Sequence, residues 1–413
     1  MTTESFETRM GRLNDAIALK KPDRVPLFAW FHFFPARYAG ITFEDAFYDL
    51  DPWLAAYEKT VLDYDPDLYV HPSAPVPAAG VANEALDNRQ MKWPGHGVGP
   101  NRSFQFVEGE YMKAEEYDEF LADPSDWTVR KFIPRIYGAL EGLSHLPPLS
   151  SMLVGYAGSG ITAVLSAPPV AAAFDALFEA SKVSMKWSMA YAQFTQKLVA
   201  MGYPTFANVV ALAPYDLISD MLRGMRGTMK DMYRRPGKII AAMDRVLPLQ
   251  IGGAIGQAHM SKNPFVFIPL HRGADGFMSN EQFETFYWPT LKALILGLID
   301  ADLVPCPFFE GTYDQRLEYL TELPPGKVMG SFDRSDMAKV REVLGGRMCI
   351  AGGMPVSLLQ HGTPDQVRAE TKKIIETVGQ DGGFIMSSST VLDEADPDLL
   401  RAWADATREF GQY

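Results

Sequence analysis

The stretch PFVFIPLHRGADGFMSNEQFETFYWPTLKALILGLIDADLVPCPFFEG, residues 264–311, decides the fold. It opens with a short β-rich apolar run that stops at His271, Arg272 and Asp275. An amphipathic segment of helical period follows from Asn280. It closes with a second apolar run, Val304–Phe309, that stops at Glu310 and Gly311. Strand, helix and strand in that order form a unit whose strands lie parallel. The same rhythm recurs outward in both directions. RVPLFAWFH ends at His32, PDLYVHPS near His71, and TFANVVALAPYD at Asp216. KVMGSFDRSD ends at Asp333, RMCIAGGMP at Gly352 and Gly353, and GGFIMSSS at Ser387 to Ser389. About eight such strands suit an α/β fold of the (β/α)8 barrel type better than an open doubly wound sheet, and no GxGxxG follows the first strand. In TPDQVRAETKKIIETVGQ, Thr363 reads as a helix cap with Pro364 at the first helical position.

The chain, 1–413, reads as a single barrel domain with an insertion at about 83–148. That segment is rich in turn residues and aromatics and breaks the rhythm, as lids over a barrel mouth do. Apolar residues make up 47% of the 413 residues, enough for a large core. The formal net charge of −13 disfavours nucleic acid and anionic membranes as partners. No run of about 18 apolar residues is present, so no membrane-spanning helix is expected. The N-terminus mixes charges without an apolar core, and the two cysteines, Cys306 and Cys349, form no CxxC pair. A cytoplasmic setting is the expectation. The basic stretch Met221–Lys238 reads as a solvated helix face or as a docking surface for an acidic partner.

In a barrel, polar residues at the strand ends converge on one mouth, which makes the list above one candidate site. Glu310 follows two phenylalanines, whose rings would raise its pKa towards the general acid/base range; pairing with Arg316 or Arg334 is the structural alternative. His271 is its expected catalytic companion, with Asp275 orienting the imidazole. His271 and Glu310, with His71 as a third donor, also compose a candidate zinc or manganese site. Substrate contacts are expected from His32, Phe34, Arg37, His71, Tyr156, Gly353 and Ser387. Trp30, Phe31, Phe33 and Phe34 suggest a flat apolar substrate, although strand alternation sends some of them to the core. Asp333, Arg334 and Asp336 read as a structural charge network. Gly352 and Gly353 would let a ligand approach the backbone.

KKPDRVPLFAWF, DMYRRPGKIIAAM, GADGFMS with FYWPTLKALI, PFFEGTYDQRLEYL and IAGGMPVSLLQHGTPDQVRAETKKII occur in an order that resembles the uroporphyrinogen decarboxylase superfamily. The resemblance implies a TIM-like barrel with its cleft at the C-terminal mouth, and either decarboxylation or methyl transfer involving corrinoid proteins and thiols. Departures from the decarboxylase pattern argue against a porphyrinogen with eight carboxylates. FHFFPARYAG keeps Arg37 and Tyr38 but replaces the first basic region with aromatics. His71 and Ser73 stand where the decarboxylase has an aspartate, and MSSST replaces a late histidine. The zinc-dependent thiol methyltransferases use a His-x-Cys pair and a later cysteine. Here Phe308 and Glu310 occupy the pair, Ser387 to Ser389 the later position, and Cys306 is expected in the core. The preferred expectation is a methyltransferase moving a methyl group from a small methoxy or methylamine substrate to a corrinoid protein. The alternatives are a decarboxylase acting on a porphyrinogen or smaller acid, and a non-catalytic binding or scaffold subunit. Zinc is the candidate cofactor, with none expected for a decarboxylase. A homodimer is the expected assembly.

Overall fold

The computed structural model describes residues 4–153 and 158–413; Tyr156 lies outside the described residues. Eleven strands are present among them: β1 (Leu27–Ala29), β2 (Leu68–Val70), β3 (Met91–Pro94), β4 (Gly97–Val98), β5 (Gln105–Phe106), β6 (Thr205–Phe206), β7 (Phe265–Leu270), β8 (Val304–Phe309), β9 (Met329–Phe332), β10 (Cys349–Met354) and β11 (Phe384–Ser388). Eight of them form a parallel sheet in the order β6-β2-β1-β11-β10-β9-β8-β7. The ring closes just past β6. Ala207 takes a left-handed φ of 64°, and the chain then reaches β7. There Phe267 donates to the Val209 carbonyl (2.9 Å) and Ala211 donates to the Phe267 carbonyl (3.0 Å). The (β/α)8 barrel expected from the sequence is therefore the fold.

Alternation along the strands separates two cores. Phe28, Trp30, Val70, Phe206, Cys306, Phe308 and Ile385 fill the barrel interior, while Leu27, Ala29, Tyr69, Ile268 and Met386 face the helices. Trp30 is the central plug, with ring centroids 4.6 Å from Phe308 and 5.8 Å from Phe267. The aromatics near β1 are thus packing groups rather than a surface for a flat substrate. Phe34 is fully buried and stacks on Tyr38 at 5.5 Å. Cys306, expected in the core, is buried in the interior, where burial pushes its thiol well above the usual range.

Gly353 has φ +100°, and a Cβ there would lie 2.8 Å from Ile374. At Gly352, φ +121°, a Cβ would meet the Phe332 carbonyl at 2.8 Å. Both glycines answer to strand and helix packing. Thr363 caps its helix as read, exchanging bonds with Gln366 in a capping box. Against expectation, one helix, Pro236–Ser261, is long and apolar enough to cross a membrane by length and composition. In this fold Ile239, Ala242, Met243, Val246, Ala254 and Ala258 of that helix are buried.

The base of the barrel is held by charge. Asp67, just before β2, is fully buried. It accepts from Arg12 (2.5 Å), twice from Arg24 (2.7 and 3.0 Å) and from the Leu27 backbone (2.8 Å). Arg9 adds a fourth donor group, 3.7 Å away. The N-terminal helix Phe6–Ile17 supplies two of these arginines, which also pair with Asp65 (Arg9, 2.6 Å) and with Glu4 and Asp23 (Arg12, 2.8 and 2.7 Å), so Asp67 is the buried member of the carboxylate set that attaches it. Asp67→Asn removes the one fully buried carboxylate of this network and leaves its arginines only the more exposed Glu4, Asp23 and Asp65. Its expected cost is about 3–5 kcal/mol, read as a lowered urea midpoint. A loss below about 1 kcal/mol would show the network to be dispensable.

Candidate active site

Segments following β7, β8 and β9 line a cleft of about 550 Å³ at the C-terminal mouth, where (β/α)8 barrels place their chemistry. Its walls are Phe106, Glu108, Asp220, Met221, His271, Arg272, Glu310, Gly311, Asp333 and Arg334. Phe106 belongs to β5, and Glu108 follows it, so the segment between β2 and β6 builds part of the rim.

The site begins with Asp216, which is almost fully buried. Its carboxylate accepts the backbone N–H of His271 (3.0 Å) and of Arg272 (3.1 Å), and the Tyr287 hydroxyl at 2.6 Å. The Tyr313 hydroxyl donates to the Leu270 carbonyl at 3.3 Å, fixing the same turn. Burial, reinforced by the neighbouring Asp220 charge, raises Asp216 to about 6. Asp216 ends a short helical turn that continues as a π-helical segment, Leu217–Arg223, and this wide turn carries Asp220 to the cleft.

Asp220 takes hold of both side chains that Asp216 has placed. Its Oδ2 lies 2.6 Å from His271 Nδ1, and its Oδ1 accepts from Arg272 Nε at 2.8 Å. The other imidazole nitrogen, Nε2, lies 3.6 Å from Glu310 Oε2. Burial pulls the His271 pKa down, but the Asp220 hydrogen bond and the charges of Asp216, Asp220 and Glu310 outweigh it and raise it to about 8. At pH 7 the ring is an imidazolium between carboxylates, with one N–H directed to the cleft. Arg272 also reaches Glu108 (3.5 Å), and Glu108 accepts from the Met225 backbone at 2.5 Å.

Glu310 and His271 are brought together as expected, in a different environment. The Glu310 side chain is 54% exposed, so Phe308 and Phe309 do not enclose it. Neither proposed arginine partner holds it: Arg316 is buried and donates to the carbonyls of Gly273 and Met278, and Arg334 pairs with Asp333 at 3.5 Å. Asp275 is not the orienter of His271. It accepts from the Gln315 backbone and pairs with Arg316 at 3.7 Å. The orienter is Asp220, whose sequence signal was the four-residue spacing from Asp216 in PYDLISD.

The remaining candidates fall elsewhere. His32 is buried against Asp393 (Nδ1 to Oδ1, 2.6 Å) and does not line the cleft. Arg37 is exposed on the helix Phe34–Ala39, also outside the cleft. His71 lines a separate groove, with Nδ1 2.6 Å from the Ser73 hydroxyl and Nε2 3.0 Å from that of Thr195; burial lowers its pKa to about 4. Ser387 is buried in β11, its hydroxyl without a partner among the described residues. Three of the six basic residues of Met221–Lys238 are tied down internally: Arg223 and Arg235 pair with Asp231, and Lys238 with Asp118.

A catalytic zinc takes three protein ligands, and two donors on one ion sit roughly 3.4 Å apart when its bonds are about 2.1 Å. The His271–Glu310 separation matches that spacing. Among the described residues, however, no group of three His, Cys, Asp or Glu side chains is placed to hold an ion. His71 cannot complete the set, being committed to Ser73 and Thr195. The donor set does not fit a protein-held zinc.

The His271 charge is directly measurable. Its ring resonances should titrate with a midpoint near 8, and Asp220→Asn should lower that midpoint by roughly 1 unit or more. Because the folded-state value exceeds that of the unfolded chain, the pair stabilises the fold fully below about pH 6.5 and loses that contribution as pH rises through about 8. An unshifted midpoint in Asp220→Asn would show that Asp220 does not hold the proton on the ring.

The comparisons agree with this architecture. The model of the family "Uroporphyrinogen decarboxylase (URO-D)" matches residues 148–410. Similar curated proteins include the uroporphyrinogen decarboxylases of Chlorobium phaeovibrioides, 33% identical over 78 residues, and of Pelodictyon phaeoclathratiforme, 25% identical over 194 residues. These matches cover 18% and 44% of this chain and 22% and 51% of the relatives' lengths. Among solved structures, a methyltransferase from Methanosarcina mazei superposes with a TM-score of 0.62 over 98% of this chain and 99% of that one, at 15% identity. That likeness concerns the barrel alone. With the family match spanning more than half of the chain, this protein belongs to the uroporphyrinogen decarboxylase (URO-D) family.

Proposed function

We propose that the chain is a methyltransferase within this family, acting on a small methylated substrate whose reacting end is neutral or cationic. The observation that carries the reading is the charge of the cleft. Glu108, Asp220, Glu310 and Asp333 outnumber its cations, and Arg272 is already held by Asp220 and Glu108. A substrate with several carboxylates would meet net repulsion there, whereas a methoxy or methylamine group would not.

In the proposed reaction the bond from the methyl carbon to oxygen or nitrogen breaks. Its electron pair stays on the leaving heteroatom, and the methyl carbon bonds to the acceptor. The acceptor is proposed to be a corrinoid carried by a partner protein, which supplies the nucleophile. His271 provides the proton that the leaving group needs, from Nε2, while Asp220 keeps the ring oriented and charged. Glu310 holds a cationic or hydrogen-bond-donating substrate next to that nitrogen. An imidazolium poised near pH 8 is a competent acid at neutral pH because it is charged yet gives up its proton readily.

A second reading is favoured by Arg334, whose side chain is 79% exposed at the cleft. It would bind the carboxylate of a small acid, and His271 would protonate the carbanion left after carbon dioxide departs. The two readings separate in one assay with purified protein, a corrinoid acceptor and a panel of methyl ethers, methylamines and small acids. Methyl transfer is expected, with kcat/KM falling about 100-fold in His271→Asn, in the range for loss of a general acid. Glu310→Gln should raise KM by at least about tenfold, as loss of a charged binding contact does. Carbon dioxide release without methyl transfer would replace the first reading with the second. Partner binding that neither substitution alters, with no turnover, would leave a non-catalytic subunit.

A further inference from the structure

A second cavity of about 550 Å³ lies directly behind the cleft, and Met221 lines both. One wall is Phe120 and Phe132, from the segment between β2 and β6. The other walls are Leu217 and Leu222 of the π-helical segment, and Val246 and Leu249 of the helix Pro236–Ser261. No Asp, Glu, Lys, Arg or His lines it, although the chain carries 89 acidic and basic residues besides its histidines. Two glutamines supply its amide groups. Gln90 donates to the Met221 carbonyl (3.2 Å), which leaves its Oε1 as an acceptor; Gln250 accepts from the Leu212 N–H (2.8 Å), which leaves its NH2 as a donor.

A concave, mostly apolar space of this size with a few neutral polar atoms is what small-molecule sites look like. The Leu217–Arg223 segment presents Asp220 to the cleft and Leu217 and Leu222 to the cavity, so one short element serves both. Only a methionine is shared between them, and its unbranched thioether chain adapts to what lies beside it. Burying an uncharged ring there is favourable by area alone, whereas a charged group would lose hydration with nothing to compensate it.

We infer that this cavity is the subsite for a neutral apolar group, an aryl ring or branched alkyl chain, of the molecule whose reacting end lies at His271 and Glu310. This rests on the cleft being the reaction site, as proposed above. The substrate class is then an amphiphile, apolar at one end and methylated at a heteroatom at the other. Methanol and simple methylamines would use the cleft alone.

The test uses the full chain and the uncharged fluorophore N-phenyl-1-naphthylamine. Saturable binding to the wild type is expected. Thr128→Trp, which fills the cavity from the wall at Phe132, and Leu249→Trp, which fills it from the exposed rim, should each weaken binding at least tenfold while melting like the wild type. His271→Asn and Glu310→Gln should bind the probe unchanged. In turnover, the preference for an aryl methyl ether over methanol should fall at least tenfold in both tryptophan variants, with the methanol value unmoved. If the two fillings leave probe binding or that preference intact, or if the wild type does not bind the probe saturably, the subsite is refuted. If no methyl donor turns over but the probe is lost from both fillings, the cavity stands as an apolar site and the reaction reading fails.

Discussion

The geometry of the candidate site depends on one buried carboxylate. Asp216 gathers two backbone N–H groups and a tyrosine hydroxyl, and in doing so ties the stretch after β6 to the end of β7. A carboxylate at that depth is costly to bury unless its lone pairs are filled, so the turn at His271 and Arg272 is over-determined. Four residues further on, Asp220 acts on the side chains of the same two residues. The first aspartate sets the backbone and the second sets the imidazole and guanidinium. At the opposite end of the barrel Asp67 plays a purely structural part, with its arginines attaching the N-terminal helix. The buried charge network and the candidate site thus stand at opposite poles, the arrangement common in barrels.

Electrostatics then give the cleft its character. Acidic groups gathered around one imidazole favour its protonated form, and they also discourage anionic ligands. A single arrangement therefore accounts for both halves of the proposed function, a proton donor near neutrality and a substrate that is not a polyacid. The arginine beside it contributes little free positive charge, because Asp220 and Glu108 already accept from it.

The segment between β2 and β6 contributes more than a cover. Phe106 and Glu108 form part of the candidate cleft, and Phe120 and Phe132 form a wall of the apolar cavity behind it. Short strands and π-helical turns in this region trade regularity for side-chain placement. After β6, the Leu217–Arg223 segment does the same, since its wide turn serves the polar cleft and the apolar cavity at once.

The barrel was legible because its signal is local and repeated. Apolar runs ending in polar residues mark parallel strands, and eight of them have few ways to close. His271 and Glu310 were legible for the same reason, each standing at the end of such a run. Phe34 and Arg37 stand outside the cleft on the helix Phe34–Ala39, and Gly353 packs against Ile374, because position along the chain does not say which face a residue takes or what packs opposite. Asp275 lies four residues from His271 and Asp220 fifty-one residues away, yet the nearer one bonds Gln315 and Arg316 instead. Periodicity alone thus determined the fold class and placed His271 and Glu310 at the strand ends that meet in the cleft. Only the tertiary structure decided their electrostatics, because a pKa depends on charges brought near through space, and Asp216 and Asp220 reach His271 from the segment after β6 while Glu310 reaches it from the end of β8.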